Sequence, residues 1–180
     1  MKKFKTRQDL MKSLPLNMNI AEVGVFKGEF SKFIFEFLKP NNLYLIDIFE
    51  GYTASGDQDG NNIQVVNLDE ELASLQNYFQ NNQNVFFLKG WSHLQIEKIP
   101  DNHLDMIYID AGHEYDEVKK DLLASFPKVK PNGYICGHDY EMNRFPGLFR
   151  AVNEFCQENN LKISCIAEDG CPTFLIQKNE

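Results

Sequence analysis

No stretch of this sequence approaches the roughly 20 consecutive apolar residues that a membrane-spanning helix requires. The first residues, Met1-Lys2-Lys3-Phe4, are basic. Lys5, Arg7, Gln8 and Asp9 then stand where a signal peptide would place its apolar core, so none is read and a cytoplasmic location is expected. The four cysteines, Cys136, Cys156, Cys165 and Cys171, have no C-x-x-C spacing and no zinc pattern. In a cytoplasmic setting they read as reduced thiols, although Cys165 and Cys171 could face each other across a hairpin. Basic residues are in deficit, 18 against 26 acidic, for a net charge of −8. That argues against a broad phosphate-binding face, and nucleic acid is not expected as a partner. Internal repeats and linkers are absent, and residues 1–180 read as one domain long enough for a substantial core.

What is present alternates in type. Phe4 to Leu14 reads as a short leading helix ended before Pro15, and Asn17 to Val23 as a first strand. Phe30, Phe33, Ile34, Phe37 and Leu38 form the apolar stripe of a helix packed on a sheet. Leu43 to Ile48 is nearly continuous in apolar residues, as a parallel strand covered on both faces should be. Residues 51–67 read as a long structureless loop, a candidate lid or binding loop. Its Asp-rich run, Ser55 to Asn62, lacks the spacing and terminal glutamate of an EF-hand. A helix over Asp69 to Phe79 follows, then strands at Val85 to Leu88 and Leu104 to Ile109 and a helix carrying Tyr115, Val118, Leu122 and Phe126. Pro131-Asn132-Gly133 reads as a turn before a strand at Tyr134 to Cys136. A helix with Leu148, Ala151, Val152, Phe155 and Cys156 on one face comes next, and Leu161–Ala167 with Cys171–Gln177 makes a final hairpin.

This order implies an α/β fold: a doubly wound, Rossmann-like, mostly parallel seven-stranded sheet with a C-terminal antiparallel hairpin. Ligands of such sheets bind outside the carboxyl ends of the strands, near the switch in strand order. That rule selects Glu22/Gly24, Asp47, Gly90-Trp91-Ser92, Asp110/His113 and His138-Asp139. The turn after the first strand has Gly24 and Gly28, but Phe26 occupies the place of the middle glycine of a dinucleotide fingerprint.

These strand ends resemble those of class I S-adenosylmethionine-dependent methyltransferases, in particular the small-molecule O-methyltransferase group that includes macrocin-type sugar O-methyltransferases. The segments concerned are Glu22 to Gly28, Leu45-Ile46-Asp47, Tyr108 to Tyr115, Asp121-Leu122, Pro131-Asn132-Gly133 and His138-Asp139-Tyr140, within roughly Asn17 to Phe155. The resemblance implies that Glu22 and the turn Gly24, Val25 to Gly28 hold the amino-acid end of S-adenosylmethionine. Asp47 would take the ribose hydroxyls, with Ile48 beside it, and Gly90, Trp91 and Ser92 would line the adenine. It further implies that Asp110 and the acids after the fifth strand bind a divalent metal, Mg or Mn, while His113 acts as base near Asp110.

Here the first acid of that pair is His138. Asp110, His138 and Asp139 would thus form a mixed nitrogen–oxygen set, which suits manganese, iron or zinc better than an all-oxygen set does. Otherwise His113 or His138 works without metal. The expected activity is methyl transfer to a hydroxyl of a small molecule, a sugar or natural product. The alternatives are an NAD-dependent oxidoreductase, against which Phe26 counts, and a non-catalytic nucleotide-binding protein on the same fold. The expected partner is a small hydroxylated substrate, with no membrane and with room for a homo-oligomer. Loops must bind the acceptor, and Arg144 in the Tyr140 to Phe145 segment could hold an anionic group.

Overall fold

The computed structural model describes residues 1–55 and 64–179. A short strand, β1 (Lys2–Phe4), opens the chain and helix α1 (Arg7–Lys12) follows. The expected helix over Phe4 to Leu14 is therefore shorter. Thr6 caps it by accepting from the Asp9 amide at 3.1 Å, and the residues before Thr6 pair with a sheet edge instead. Next come β2 (Asn19–Val23), α2 (Glu29–Leu38) and β3 (Asn42–Asp47).

Strands β4 (Tyr52–Ser55) and β5 (Gln64–Asn67) pair antiparallel, Tyr52 opposite Asn67 and Ser55 opposite Gln64. The structureless loop expected over 51–67 is thus corrected at both ends. Val65 and Val66 place one side chain on each face of the ribbon, Val66 inward, as alternation in a strand requires. Residues 56–63, with most of the Asp-rich run, lie outside the described residues.

The chain continues through α3 (Leu68–Tyr78), β6 (Val85–Lys89), α4 (Ser92–Ile96), β7 (Leu104–Ile109), α5 (Tyr115–Lys128), β8 (Val129–Gly137), α6 (Pro146–Glu158), β9 (Ile163–Ala167) and β10 (Thr173–Gln177). Helix α4 has no counterpart in the sequence reading, because five residues are too few to show a helical period. Strand β8 also runs through Pro131-Asn132-Gly133, which the sequence suggests is a turn. A register shift between Leu104 and Met106 lets the β7–β8 ladder absorb it.

The main sheet has the order β1-β9-β10-β8-β7-β2-β3-β6, eight strands in place of the expected seven, the additional one being β1. Only β10 runs against its neighbours. One core lies between the sheet and α4, α5 and α6, around Ile107, Leu122, Val152 and Phe155. The other lies under α1, α2 and α3, around Ile34, Leu45, Leu75 and Tyr108. Both faces are covered, which explains why β2, β3 and β7 are apolar almost throughout. The strand order reverses at β2, between β3 and β7, so the carboxyl ends of β2, β3, β6, β7 and β8 open on one edge around that point. All four cysteines are free thiols.

Candidate active site

A cavity of about 720 Å³ opens at this edge, within the range typical of small-molecule sites. Its lining includes Glu22, Gly24, Val25, Gly28, Asp47, Ile48, Gly90, Trp91, Ser92, Asp110 and His113. The structure therefore brings together the residues selected from the five strand ends, with His138 and Asp139 behind Asp110.

The glycine turn is built by close approach. Gly24 has φ +86°, and a Cβ there would run into the carbonyl oxygen of Asp110. Gly28 caps α2 with φ +70°, and a Cβ there would collide with the Leu75 side chain. Phe26 is also left-handed, φ +52°, a costly conformation for a bulky residue. It lines the cavity at the place of the middle glycine of a dinucleotide turn.

Glu22 is 1 % exposed and accepts a hydrogen bond from the Ser31 hydroxyl. Burial pushes its pKa up to about 8, against the pull of Ser31 and with a further push from Asp110. A ligand bearing an ammonium group would restore its charge. Asp47 is more committed than the sequence suggests. Its Oδ2 accepts from the amides of Val25 (2.8 Å) and Phe26 (2.9 Å), and its Oδ1 accepts from Phe49 (3.1 Å). It holds the glycine turn in place, and Oδ1 keeps acceptor capacity for a ligand hydroxyl.

At the β6 end, Gly90 has φ +136° and Trp91, 62 % exposed, caps α4. The Ser92 hydroxyl donates to Asp121 Oδ1 at 2.6 Å. Asp121 is buried, lines the cavity, and has its pKa raised to about 6, chiefly by burial. It is the charged acceptor at this end. The sequence marks it only as part of the Asp121-Leu122 segment of the resemblance, without a role for its carboxylate.

At the opposite end, His113 Nε2 lies 2.8 Å from Asp139 Oδ2, and the His113 ring stacks on Phe145 with centroids 4.4 Å apart. His138 Nδ1 is 3.3 Å from Asp139 Oδ1 and 3.7 Å from Asp110 Oδ1. Asp139 adopts φ +58°, which a short polar side chain tolerates, and so turns one oxygen to each histidine. Burial would raise its pKa, but hydrogen bonds from His113 and His138 overcome that and hold it well below the usual carboxylate range. The pKa of His113 is raised, first by its bond to Asp139. That of Asp110 is raised by burial, against the opposing pull of His138.

One ligand atom from each of Asp110, His138 and Asp139 lies within 4.8 Å of the others. Two carboxylates and an imidazole gathered in this way are the donor chemistry that a divalent ion such as manganese takes. Arg7 was not anticipated at the site. Its Nη1 lies 3.3 Å from Asp110 Oδ2. Arg144, proposed from sequence for an anionic substrate group, donates to Cys171 Sγ at 2.8 Å and lies over the Phe145 ring.

The model of a family described as a methyltransferase domain matches residues 21–140. A curated relative from Streptomyces olivaceus is 24 % identical over 141 residues, which cover 69 % of this chain and 54 % of that protein. It is an 8-demethyl-8-(2,3-dimethoxy-alpha-L-rhamnosyl)-tetracenomycin-C 4'-O-methyltransferase. The chain thus spans about half the length of this relative. Among solved structures, the O-methyltransferase NovP superposes with TM-score 0.72 at 20 % identity, over 97 % of this chain and 80 % of that one. A fibrillarin from Aeropyrum pernix with natively bound S-adenosyl-L-methionine gives TM-score 0.63 at 11 % identity, over 94 % and 72 %. At these identities the structural likeness speaks to the fold alone. No described helix is long and apolar enough to cross a membrane.

Proposed function

The chain belongs to this methyltransferase domain family, and from that premise we propose that it transfers the methyl group of S-adenosylmethionine to a hydroxyl of a small molecule, a sugar or sugar-bearing natural product. The observation that carries this reading is the polarity of the cavity. A buried carboxylate suited to an ammonium, Glu22, stands on one wall, and a histidine–carboxylate pair suited to a hydroxyl proton, His113–Asp139, stands beyond Asp110. The sugar class draws on the name of the Streptomyces relative, which acts on a rhamnosyl compound.

Each residue then has a task. Glu22 receives the amino group of the donor, and the Gly24–Gly28 turn, held by Asp47, lets it approach the backbone. Asp47 Oδ1 accepts from a ribose hydroxyl, and Asp121 accepts from the exocyclic amine of adenine beside Trp91. S-adenosylmethionine supplies a methyl group made electrophilic by the positive charge on sulfur. His113 has Nε2 committed to Asp139 and so offers Nδ1 to the acceptor hydroxyl. As the imidazole takes that proton, the Asp139 carboxylate balances the charge and keeps the ring oriented. Much of the rate enhancement comes from holding the acceptor oxygen in line with the methyl group. Asp110, His138 and Asp139 would hold a divalent ion, manganese before magnesium, which when bound would lower the pKa of the acceptor hydroxyl and orient it.

Nothing in the family match or the cavity favours the NAD-dependent alternative, and Phe26 occupies the position of the middle glycine of a dinucleotide fingerprint. We place the protein in the cytoplasm, and the net charge of −8 argues against nucleic acid as its partner. The test is incubation with S-adenosylmethionine and a panel of hydroxylated small molecules, rhamnosides included, with mass spectrometry of the products. A methyl ether on one of them is expected. Binding of the donor with no product from any acceptor would favour the non-catalytic alternative.

A further inference from the structure

Arg7 belongs to none of the segments that mark the family, yet its side chain lines the cavity. The fold explains how it arrives there. Strand β1 pairs parallel with β9, so its carboxyl end opens at the same edge as those of β2, β3, β7 and β8. The backbone is then pinned from two sides. The Arg7 amide donates to Asp169 Oδ2 at 2.8 Å, and the Glu168 amide donates to the Phe4 carbonyl at 3.1 Å. From that anchor the guanidinium lies over the Phe30 ring, 4.5 Å from its centroid, and reaches Asp110 Oδ2 at 3.3 Å.

Asp110 is therefore divided between two tasks. One oxygen faces the guanidinium and the other faces His138 Nδ1 at 3.7 Å. Asp110 and Asp139 bring two negative charges to this centre when ionised. Arg7 brings a positive charge that no accessible pH removes. An ion held by Asp110, His138 and Asp139 would share a carboxylate with this cation, where both ion and guanidinium are partly shielded from water and like charges repel more strongly than in bulk.

We propose that Arg7 is a positioning residue and resident counter-cation: it fixes which oxygen Asp110 presents to the acceptor centre, and its charge keeps the affinity of that centre for a divalent ion low. The inference rests on the reading that Asp110, His138 and Asp139 form a metal set. It predicts a centre that stays assembled without metal and exchanges its ion readily.

The experiment titrates Mn²⁺ alone into the full-length protein, following free Mn²⁺ by electron paramagnetic resonance. Wild type is compared with Arg7→Gln, Arg7→Met and Arg7→Lys. Met keeps an apolar stem over Phe30, so it serves if Gln impairs folding, and S-adenosylhomocysteine binding reports in each case whether the cavity is intact. Loss of the charge should tighten Mn²⁺ binding by about tenfold or more, while Arg7→Lys should stay at the wild-type value. Unchanged or weaker binding in both neutral variants would overturn the proposal while leaving the metal reading standing. No Mn²⁺ binding at millimolar concentration by any of the proteins would overturn the metal reading, and the proposal with it.

Discussion

His113 Nε2 and Asp139 Oδ2 lie 2.8 Å apart, although 26 residues separate them in the chain. The strand ends of β7 and β8 bring them together, and the left-handed backbone of Asp139 aims the carboxylate. Under the proposed function, the pair is the oriented base of the acceptor end, with a partner held below the usual carboxylate range. Replacing His113 by Ala should therefore lower kcat by roughly 10²–10⁴-fold and leave S-adenosylhomocysteine affinity unchanged, as steady-state kinetics and calorimetry will show. Loss of affinity in parallel with kcat would instead mean that His113 holds the donor.

Under the proposed function, Glu22 should make donor binding depend on pH. Its carboxyl is pushed by burial to about 8 from an ordinary value of 4.5. Because the folded value is raised, its contribution to stability is fully present below pH 4.5 and is lost as pH rises through about 8. An ammonium against Glu22 favours the ionised form, so binding at pH 7 should release a proton, and affinity should rise between pH 6 and 8. Calorimetry in buffers of different ionisation enthalpy measures the proton count. Glu22→Gln should abolish the release and weaken binding about ten- to hundredfold, the worth of one hydrogen bond to a charged group.

Gly24 and Gly51 offer a controlled comparison, since both have positive φ, +86° and +76°. Among the described residues a Cβ at Gly51 meets nothing within 4 Å, whereas one at Gly24 meets the Asp110 carbonyl. Gly51→Ala should cost only the backbone strain, about 1–2 kcal/mol. Gly24→Ala should cost more and also disturb Asp110. Thermal denaturation of the two variants checks the order, and equal losses would contradict the close approach of β2 and β7.

Asp121 should set base selectivity. A donor analogue with hypoxanthine in place of adenine turns a carbonyl oxygen, not an amine, toward Asp121, and wild type should bind it about tenfold or more weakly, the carboxylate keeping its bond from Ser92 but losing the one from the base. Asp121→Ala should bind both forms poorly and with little preference between them. Retained preference in the variant would place adenine recognition elsewhere, on the backbone at Gly90–Trp91.

Much of the fold was legible because β2, β3 and β7 are covered on both faces and α2 carries a regular apolar stripe. The same regularity marked the strand ends, so the cavity residues from Glu22 to Asp110 could be named in advance. The remainder depended on contacts distant in sequence. Strand β1 is three residues long and exists only because β9 offers an edge. Arg7 reaches Asp110 across 103 positions. The bond from Ser92 to Asp121 joins residues 29 positions apart, and no local pattern announces it. The paired strands on either side of residues 56–63 show no apolar alternation long enough to announce a ribbon.

The central claim, that this cavity holds S-adenosylmethionine by its amino-acid end, is tested most directly by calorimetric titration of wild type and Glu22→Gln with S-adenosylhomocysteine at pH 7, with NAD as control. One saturable site in the wild type, accompanied by proton release, markedly weakened in the variant and absent with NAD, is the result predicted here. No binding of S-adenosylhomocysteine at millimolar concentration, or equal binding by the two proteins, would contradict it.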